Sequence, residues 1–206
     1  MEAIYDYAAR LNAVRAAAFA RRDALTVAQK LGLAVLFAAA TGIAAQVRIP
    51  VPFSPIPITG QTFAVLGTGV FLGSLFGGLS MAFYVALGAA GVPWFNGATG
   101  GLTAAFGPTG GYLVGFVIAA FIIGGVTKNF PKARGFAPMF AIMLAVDFII
   151  IHGLGLAWLG VYLSTMKGSA LSLPALFAMG TAPFIVGDVM KAAAAALLTK
   201  AVTPKS

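Results

Sequence analysis

Cysteine is absent from this chain, histidine occurs once, and aspartate and glutamate together only five times. The first absence excludes disulfides and thiol chemistry. With one histidine and five acids there are too few ligands for a metal site of the usual kind. No glycine-rich loop ends in Gly-Lys-Ser/Thr, so the chain does not bind and hydrolyse ATP by that route, and energy for any uphill work has to come from a partner or a gradient. Clustered catalytic groups at one interface are also missing, which argues against an integral-membrane enzyme. Charge of either sign is scarce: 9% of residues, against about 25% in soluble domains.

Apolar residues fill the space. They make up 60% of the 206 residues, mean hydropathy is +0.98, and several runs reach the roughly 20 residues a bilayer-crossing helix needs. The 26 glycines and 11 prolines give helix breaks and close helix contacts, both better tolerated in membrane bundles than in water. The composition reads as one polytopic membrane domain, residues 28–206. Residues 1–27 carry Arg10, Arg15, Arg21, Arg22, Glu2, Asp6 and Asp23 before any long apolar run. They read as an uncleaved cytoplasmic leader, a short amphipathic helix on the membrane surface. A net charge of +8 invites a nucleic-acid reading, but the cations are scattered among loops, and a positive-inside bias explains them more simply.

The pattern predicts an all-α bundle of six membrane helices, the second and third short: about Val27 to Val47, Gln61 to Leu72, Leu75 to Gly91, Thr109 to Val126, Phe136 to Leu163 and Pro183 to Ala201. Between the first two lies Arg48 to Gly60, whose Pro50, Pro52, Pro55 and Pro57 forbid helix and favour a stiff, polyproline-like strand. A glycine-rich loop, Val92 to Pro108, holds Trp94 and Asn96. With both termini on the cytoplasmic side, ten of the 13 Lys and Arg residues, Lys205 among them, fall inside; Arg48 and Lys167 fall outside, and Lys191 falls within a span. Both irregular loops then face outward, as does the end of helix six carrying Asp188 and Lys191.

That pair is the strongest chemical signal. Three apart on a helix, the two share a face, and each alone in hydrocarbon costs roughly 2.5–3.5 kcal/mol. They form either a structural ion pair between helices or a site for a polar solute. A carboxylate only accepts and an ammonium only donates, which suits a solute with adjacent N–H donors and a carbonyl. Arg48 either snorkels to the interface or pairs with an anionic substrate group. Gln61 either caps helix two or contacts ligand. In the glycine-rich loop, Trp94 and Phe95 offer apolar cover for a lid, Asn96 a donor and an acceptor, although an interfacial belt also accounts for Trp94. Ala34 and Ala38 form a small-xxx-small pattern suited to internal packing or to docking a separate subunit. Asp147 and His152, five apart in helix five, point to different sides of an α-helix and read as internally satisfied groups more readily than as a proton relay.

Three segments, Pro52-Phe53-Ser54-Pro55-Ile56-Pro57-Ile58-Thr59-Gly60-Gln61-Thr62, Gly107-Pro108-Thr109-Gly110-Gly111-Tyr112-Leu113-Val114-Gly115-Phe116 and Pro183-Phe184-Ile185-Val186-Gly187-Asp188-Val189-Met190-Lys191, resemble BioY, the biotin-specific S component of energy-coupling-factor (ECF) transporters. The likeness runs from about Ile49 to Leu198, leaving the first 27 residues outside. It implies a six-helix S-component bundle in a bacterial or archaeal cytoplasmic membrane. Biotin would be the transported ligand, with no cofactor, and the partners a transmembrane coupling subunit and two ATPase subunits. By the same resemblance Asp188, Lys191, Asn96, Arg48 and Gln61 are substrate-binding, Tyr112 accompanies them, and Ala34 and Ala38 meet the coupling subunit; Trp94 joins the substrate-binding set from the reading of its loop. An S component for another vitamin, or a proton-coupled carrier using Asp147 and His152, are the rival readings.

Overall fold

The computed structural model describes residues 2–168 and 171–204; Lys205, counted above among the inner cations, lies outside them. Nine α-helices run in chain order through the described residues: α1 (Glu2–Ala24), α2 (Val27–Gln46), α3 (Gln61–Ala89), α4 (Leu102–Ala105), α5 (Gly110–Asn129), α6 (Phe136–Ala145), α7 (His152–Lys167), α8 (Leu173–Gly180) and α9 (Ile185–Val202). Among the described residues, five runs are long and apolar enough to cross a membrane: Val27–Gln46, Gln61–Ala89, Gly110–Asn129, Phe136–Met166 and Leu173–Val202.

Local sequence explains where these helices begin and end. Thr26 opens α2 through a capping box: its Oγ1 accepts from the Gln29 N–H, and the Gln29 side chain accepts from the Thr26 N–H, satisfying two otherwise unpaired donors. Gly168 closes α7 in the left-handed conformation, φ 61°, the usual role of glycine just past a helix end.

The 29-residue α3 is not a straight rod. Gly73 sits inside it at φ 76°, ψ −175°, where glycine pays no Cβ penalty. A Cβ built on Gly77 would lie 3.1 Å from the Cα of Gly69, although eight residues of continuous helix span about 12 Å. The chain therefore doubles back at Gly73, and residues 61–72 and 74–89 lie side by side. This is the break expected between helices two and three. The fold-back is held by α5, the helix α3 packs against most extensively. A Cβ on Gly124 would run into the backbone at Gly73 and Ser74, and Ser74 Oγ donates to the Phe121 carbonyl at 2.7 Å.

Three expectations need correction. The proline segment is not one stiff strand: two-residue strands β1 (Arg48–Ile49) and β2 (Ile58–Thr59) pair antiparallel, because the prolines cluster between them and leave the pairing residues their N–H groups. Ala34 and Ala38 are fully buried, with Ser80 Oγ donating to the Ala34 carbonyl at 2.7 Å. The small-residue stripe thus packs α2 onto α3, and the exposed side of α2 is Gly32, Val35, Leu36, Ala40 and Ile43. Finally, helix five contains a π-helical turn, Val146–Ile151, between α6 and α7. Residues 2–24 form a helix, and none of the described side chains in it is buried.

The cationic ends gather together. Arg22 donates to the Phe71 carbonyl beside the Gly73 turn. Arg134 donates to the carbonyls of Thr127 and Pro204, at 2.8 and 3.1 Å, tying the end of α5 to the chain's last turn. Burial and then the charge of Arg22 lower the Arg134 guanidinium from its ordinary value. The β1–β2 ribbon and the loop from Val92 to Pro108 lie at the opposite end.

Candidate functional site

One cavity at that opposite end collects the polar residues. It has a volume of about 60 Å³, room for a handful of water molecules. The ribbon contributes Ile56, Pro57 and Thr59; α3 contributes Gln61, Thr62 and Tyr84; the glycine-rich loop contributes Phe95 and Asn96, and Thr109 stands at the start of α5. Tyr112, Leu113 and Phe116 come from α5, Ile151 and His152 from the π turn and α7, and Phe184, Asp188 and Lys191 from the last helical run.

Asp188 is 2% exposed and bridges two partners. Its Oδ2 lies 2.9 Å from His152 Nε2, and its Oδ1 lies 2.5 Å from Lys191 Nζ. The Lys191 ammonium takes one lone pair of Oδ1, and no other donor among the described residues reaches that oxygen. Lys191 Nζ also donates to the Thr59 carbonyl at 2.9 Å, fastening α9 to β2. The site therefore offers a buried acceptor with a free lone-pair direction beside an ammonium with protons to spare.

A second chain of bonds sets the opposite wall. Thr59 Oγ1 donates to Gln61 Oε1 at 2.8 Å, Gln61 Nε2 donates to Tyr84 Oη at 2.9 Å, and Tyr84 donates to the Trp94 carbonyl at 3.2 Å. Tyr112 Oη donates to the Gly180 carbonyl at 2.7 Å. The His152 ring meets Tyr112 edge-on and stacks on Phe148, with Phe184 tilted against it, so its orientation is fixed on every side.

Five of the seven expected substrate-binding residues thus converge: Asp188, Lys191, Asn96, Gln61 and Tyr112 all line the cavity. Trp94 and Arg48 do not. Trp94 is an anchor, not a lid: its indole N–H donates to the Tyr84 carbonyl at 2.9 Å, and its ring lies against Gly42 and Gly88, where no Cβ would fit. The exposed Arg48 lays its guanidinium over Gly97, next to Asn96. Gln46 completes the loop's attachment: its Nε2 donates to the Phe95 carbonyl at 3.1 Å, and its Oε1 accepts from the Ala98 N–H at 2.9 Å.

His152 is a cavity residue that the sequence reading left outside the substrate site. On an α-helix, residues five apart diverge, but here the His152 N–H donates to the Asp147 carbonyl, the i→i−5 bond of a π turn. That extra residue per turn swings both side chains to one face, and a carboxylate oxygen of Asp147, a ring nitrogen of His152 and a carboxylate oxygen of Asp188 all lie within 4.8 Å of one another. A π turn has no simple sequence signal. The available hint was a histidine and an acid in a span otherwise free of charge.

Comparison with known proteins follows this geometry closely. The family model described as the BioY family matches residues 14–206, reaching into α1 and so further than the motifs alone suggest. The chain is 44% identical over 138 residues to a Methanothermobacter thermautotrophicus protein named "Probable biotin transporter BioY", covering 67% of this chain and 88% of that one. A Thermotoga maritima protein named "Biotin transporter BioY" is 38% identical over 150 residues, with 73% and 82% coverage. Among solved structures, the S-component for biotin from an ECF-type ABC transporter superposes with a TM-score of 0.73 at 26% identity, covering 86% of this chain and 93% of that one.

Proposed function

Since the chain belongs to the BioY family, we propose that it is the biotin-binding subunit of a vitamin uptake system, with the Asp188–Lys191 cavity as its substrate site. It is a transport protein and not an enzyme. The observation that carries the assignment is the pairing of Asp188 and Lys191 inside one buried cavity with Gln61, Asn96 and Tyr112. Biotin matches this donor set. Its ureido ring has two N–H donors and a strongly accepting carbonyl, its thiophane ring suits Phe95, Phe116 and Phe184, and its valerate is anionic. Asp188 Oδ1 accepts a ureido N–H. Lys191, whose ammonium already reaches both Asp188 and the Thr59 carbonyl, donates to the ureido carbonyl or neutralises the valerate. Arg48, exposed over Gly97, guides the anionic tail toward the entrance.

The topology that goes with this function has six spans, because residues 61–72 and 74–89 traverse separately, with both termini and the cationic end in the cytoplasm of a bacterial or archaeal cell. Residues 1–27 form a cytoplasmic leader on residues 28–206. Energy comes from an ECF module, a transmembrane coupling subunit with two ATPase subunits, meeting the exposed side of α2. Calorimetric titration of the purified protein with biotin, with thiamine and riboflavin as controls, tests the substrate. Saturable binding of biotin alone is expected; binding of another vitamin in its place would refute it. Uptake without ATPase subunits that a protonophore abolishes would instead favour a proton-coupled carrier.

A further inference from the structure

Asp147 has no part in the cavity described above. It is not among the lining residues, yet it is fully buried, and neither carboxylate oxygen meets a hydrogen-bond donor among the described residues. It faces the His152–Asp188 bond, with an oxygen or ring nitrogen of each of the three groups within 4.8 Å of the others. The titratable and charged groups around this point are Asp147 and His152 on helix five, Asp188 and Lys191 on α9, Tyr112 on α5 and, across the cavity, Tyr84 on α3. With both carboxylates ionised and the imidazole neutral, one ammonium leaves the group one net negative charge. A bundle interior in hydrocarbon does not hold an unbalanced charge without heavy cost. One monovalent cation restores neutrality.

The neighbours select a proton. His152 Nε2 lies 2.9 Å from Asp188 Oδ2 and Nδ1 lies 3.1 Å from the Gly180 carbonyl. A carbonyl and a carboxylate only accept, so both nitrogens face acceptors, the arrangement an imidazolium satisfies completely. The Thr181 hydroxyl, 3.2 Å from Nδ1, supports the ring once the proton has moved on, by donating to the bared nitrogen. A hard metal ion, which wants about six oxygens, would have to break the His152–Asp188 bond, and neither Asp147 oxygen has a polar partner within hydrogen-bonding reach among the described residues.

We propose that Asp147, His152 and Asp188 form a proton site behind the ligand cavity, and that its occupancy is linked to ligand binding through the His152–Asp188 bond. The sign follows from charge. An anionic ligand beside Lys191 competes for the ammonium that balances Asp188, so the proton is held more tightly with ligand than without. By reciprocity the ligand binds more tightly when the proton is present. Binding takes up protons, and affinity falls as pH rises through the range where the proton leaves, by up to about tenfold per pH unit for one linked proton.

The linkage rests on biotin being the ligand; the proton site does not. Because the chain has one histidine, nitrogen-15 histidine labelling of the full-length protein in detergent gives a single imidazole to follow by NMR. Spectra are recorded across pH for the wild type and Asp147→Asn, without ligand and with saturating biotin, alongside calorimetry in buffers of different ionisation enthalpy. Expected at neutral pH is a doubly protonated ring in the wild-type complex, a singly protonated ring in Asp147→Asn, and net proton uptake on binding in the wild type alone. His152→Gln, which keeps an N–H for Asp188, should remove the pH dependence of whatever biotin binding remains. A ring that is neutral throughout, one that titrates identically in Asp147→Asn, or one that responds to sodium or zinc instead of pH would overturn the proton site. A protonated ring with pH-independent affinity would overturn the linkage. A flat titration with biotin beside a protonated ring would sink the substrate assignment and leave the proton site standing.

Discussion

Replacing Asp188 by Asn keeps the side chain's size and removes its charge. In the free protein the change strands Lys191, whose side chain is 16% exposed, without its ion partner, and leaves His152 Nε2 against an amide. Breaking a buried pair this way costs about 3–5 kcal/mol. Lys191 keeps the Thr59 carbonyl and some access to solvent, so the lower end, about 3 kcal/mol, applies to stability. The loss in binding is separate. A hydrogen bond between a ligand N–H and a charged acceptor is worth about 1.5–3 kcal/mol, so exchanging the carboxylate for an amide should weaken biotin by roughly 10- to 150-fold.

Calorimetry on detergent-purified protein reads the affinity, and a thermal melt of the same sample reads the stability. Lys191→Met and the double variant complete the cycle, and the two losses should be non-additive by about 0.5–3 kcal/mol, as for any contacting pair. Asp188→Asn binding biotin within about threefold of wild type, with only the melting temperature lowered, would show that the pair joins helices and does not hold ligand. The reasoning built on the free Oδ1 position would then fail.

Three further outcomes are expected. A Cβ on Gly88 would run into the Phe95 ring and lie 2.8 Å from the Trp94 indole nitrogen; Gly88→Ala should loosen the loop by about 1–3 kcal/mol, read as faster release of labelled biotin. Gly124→Ala collides with the backbone at Gly73 and Ser74, whereas a Cβ on Gly67 meets nothing within 4 Å. The first should therefore lower the melting temperature, and Gly67→Ala should leave it unchanged or raise it, Ala being favoured over Gly in a helix by roughly 0.5–1 kcal/mol. Tyr112→Phe removes the 2.7 Å bond to the Gly180 carbonyl, worth about 1 kcal/mol, and should weaken biotin by about fivefold, since that carbonyl also supports His152.

Much of this architecture was legible because the membrane makes charge expensive. Asp188 and Lys191 stood out for that reason alone, and the proline- and glycine-rich segments marked irregular backbone that only a covered cavity tolerates at membrane depth. The break near Gly73 was legible from glycine spacing. What stayed hidden was direction. A small-residue pattern such as Ala34 and Ala38 says that something approaches closely, not whether it is α3 or another subunit. Trp94 in a loop gives no sign that Gly42 and Gly88 make room beneath it. Asp147 and His152 were misaligned on paper because helical periodicity assumes an α turn throughout, and a single π turn rotates everything beyond it.

That rotation also accounts for the placement of an imidazole among Tyr112, Phe148 and Phe184, where an aromatic hydrocarbon would pack equally well. The ring's faces are apolar contacts and its two nitrogens are spoken for by Gly180 and Asp188, so His152 serves simultaneously as packing and as polar link. Without the π turn, Asp147 would point elsewhere, Asp188 and Lys191 would balance each other, and the cavity would be electrically closed. With it, a second carboxylate stands behind the first, and the charge state of the rear of the site depends on what occupies the front. Lipid-embedded helices rarely carry an unbalanced acid. In the proposed site the charge of Asp147 is balanced by a proton shared with His152 and Asp188, held more tightly when the ligand is bound.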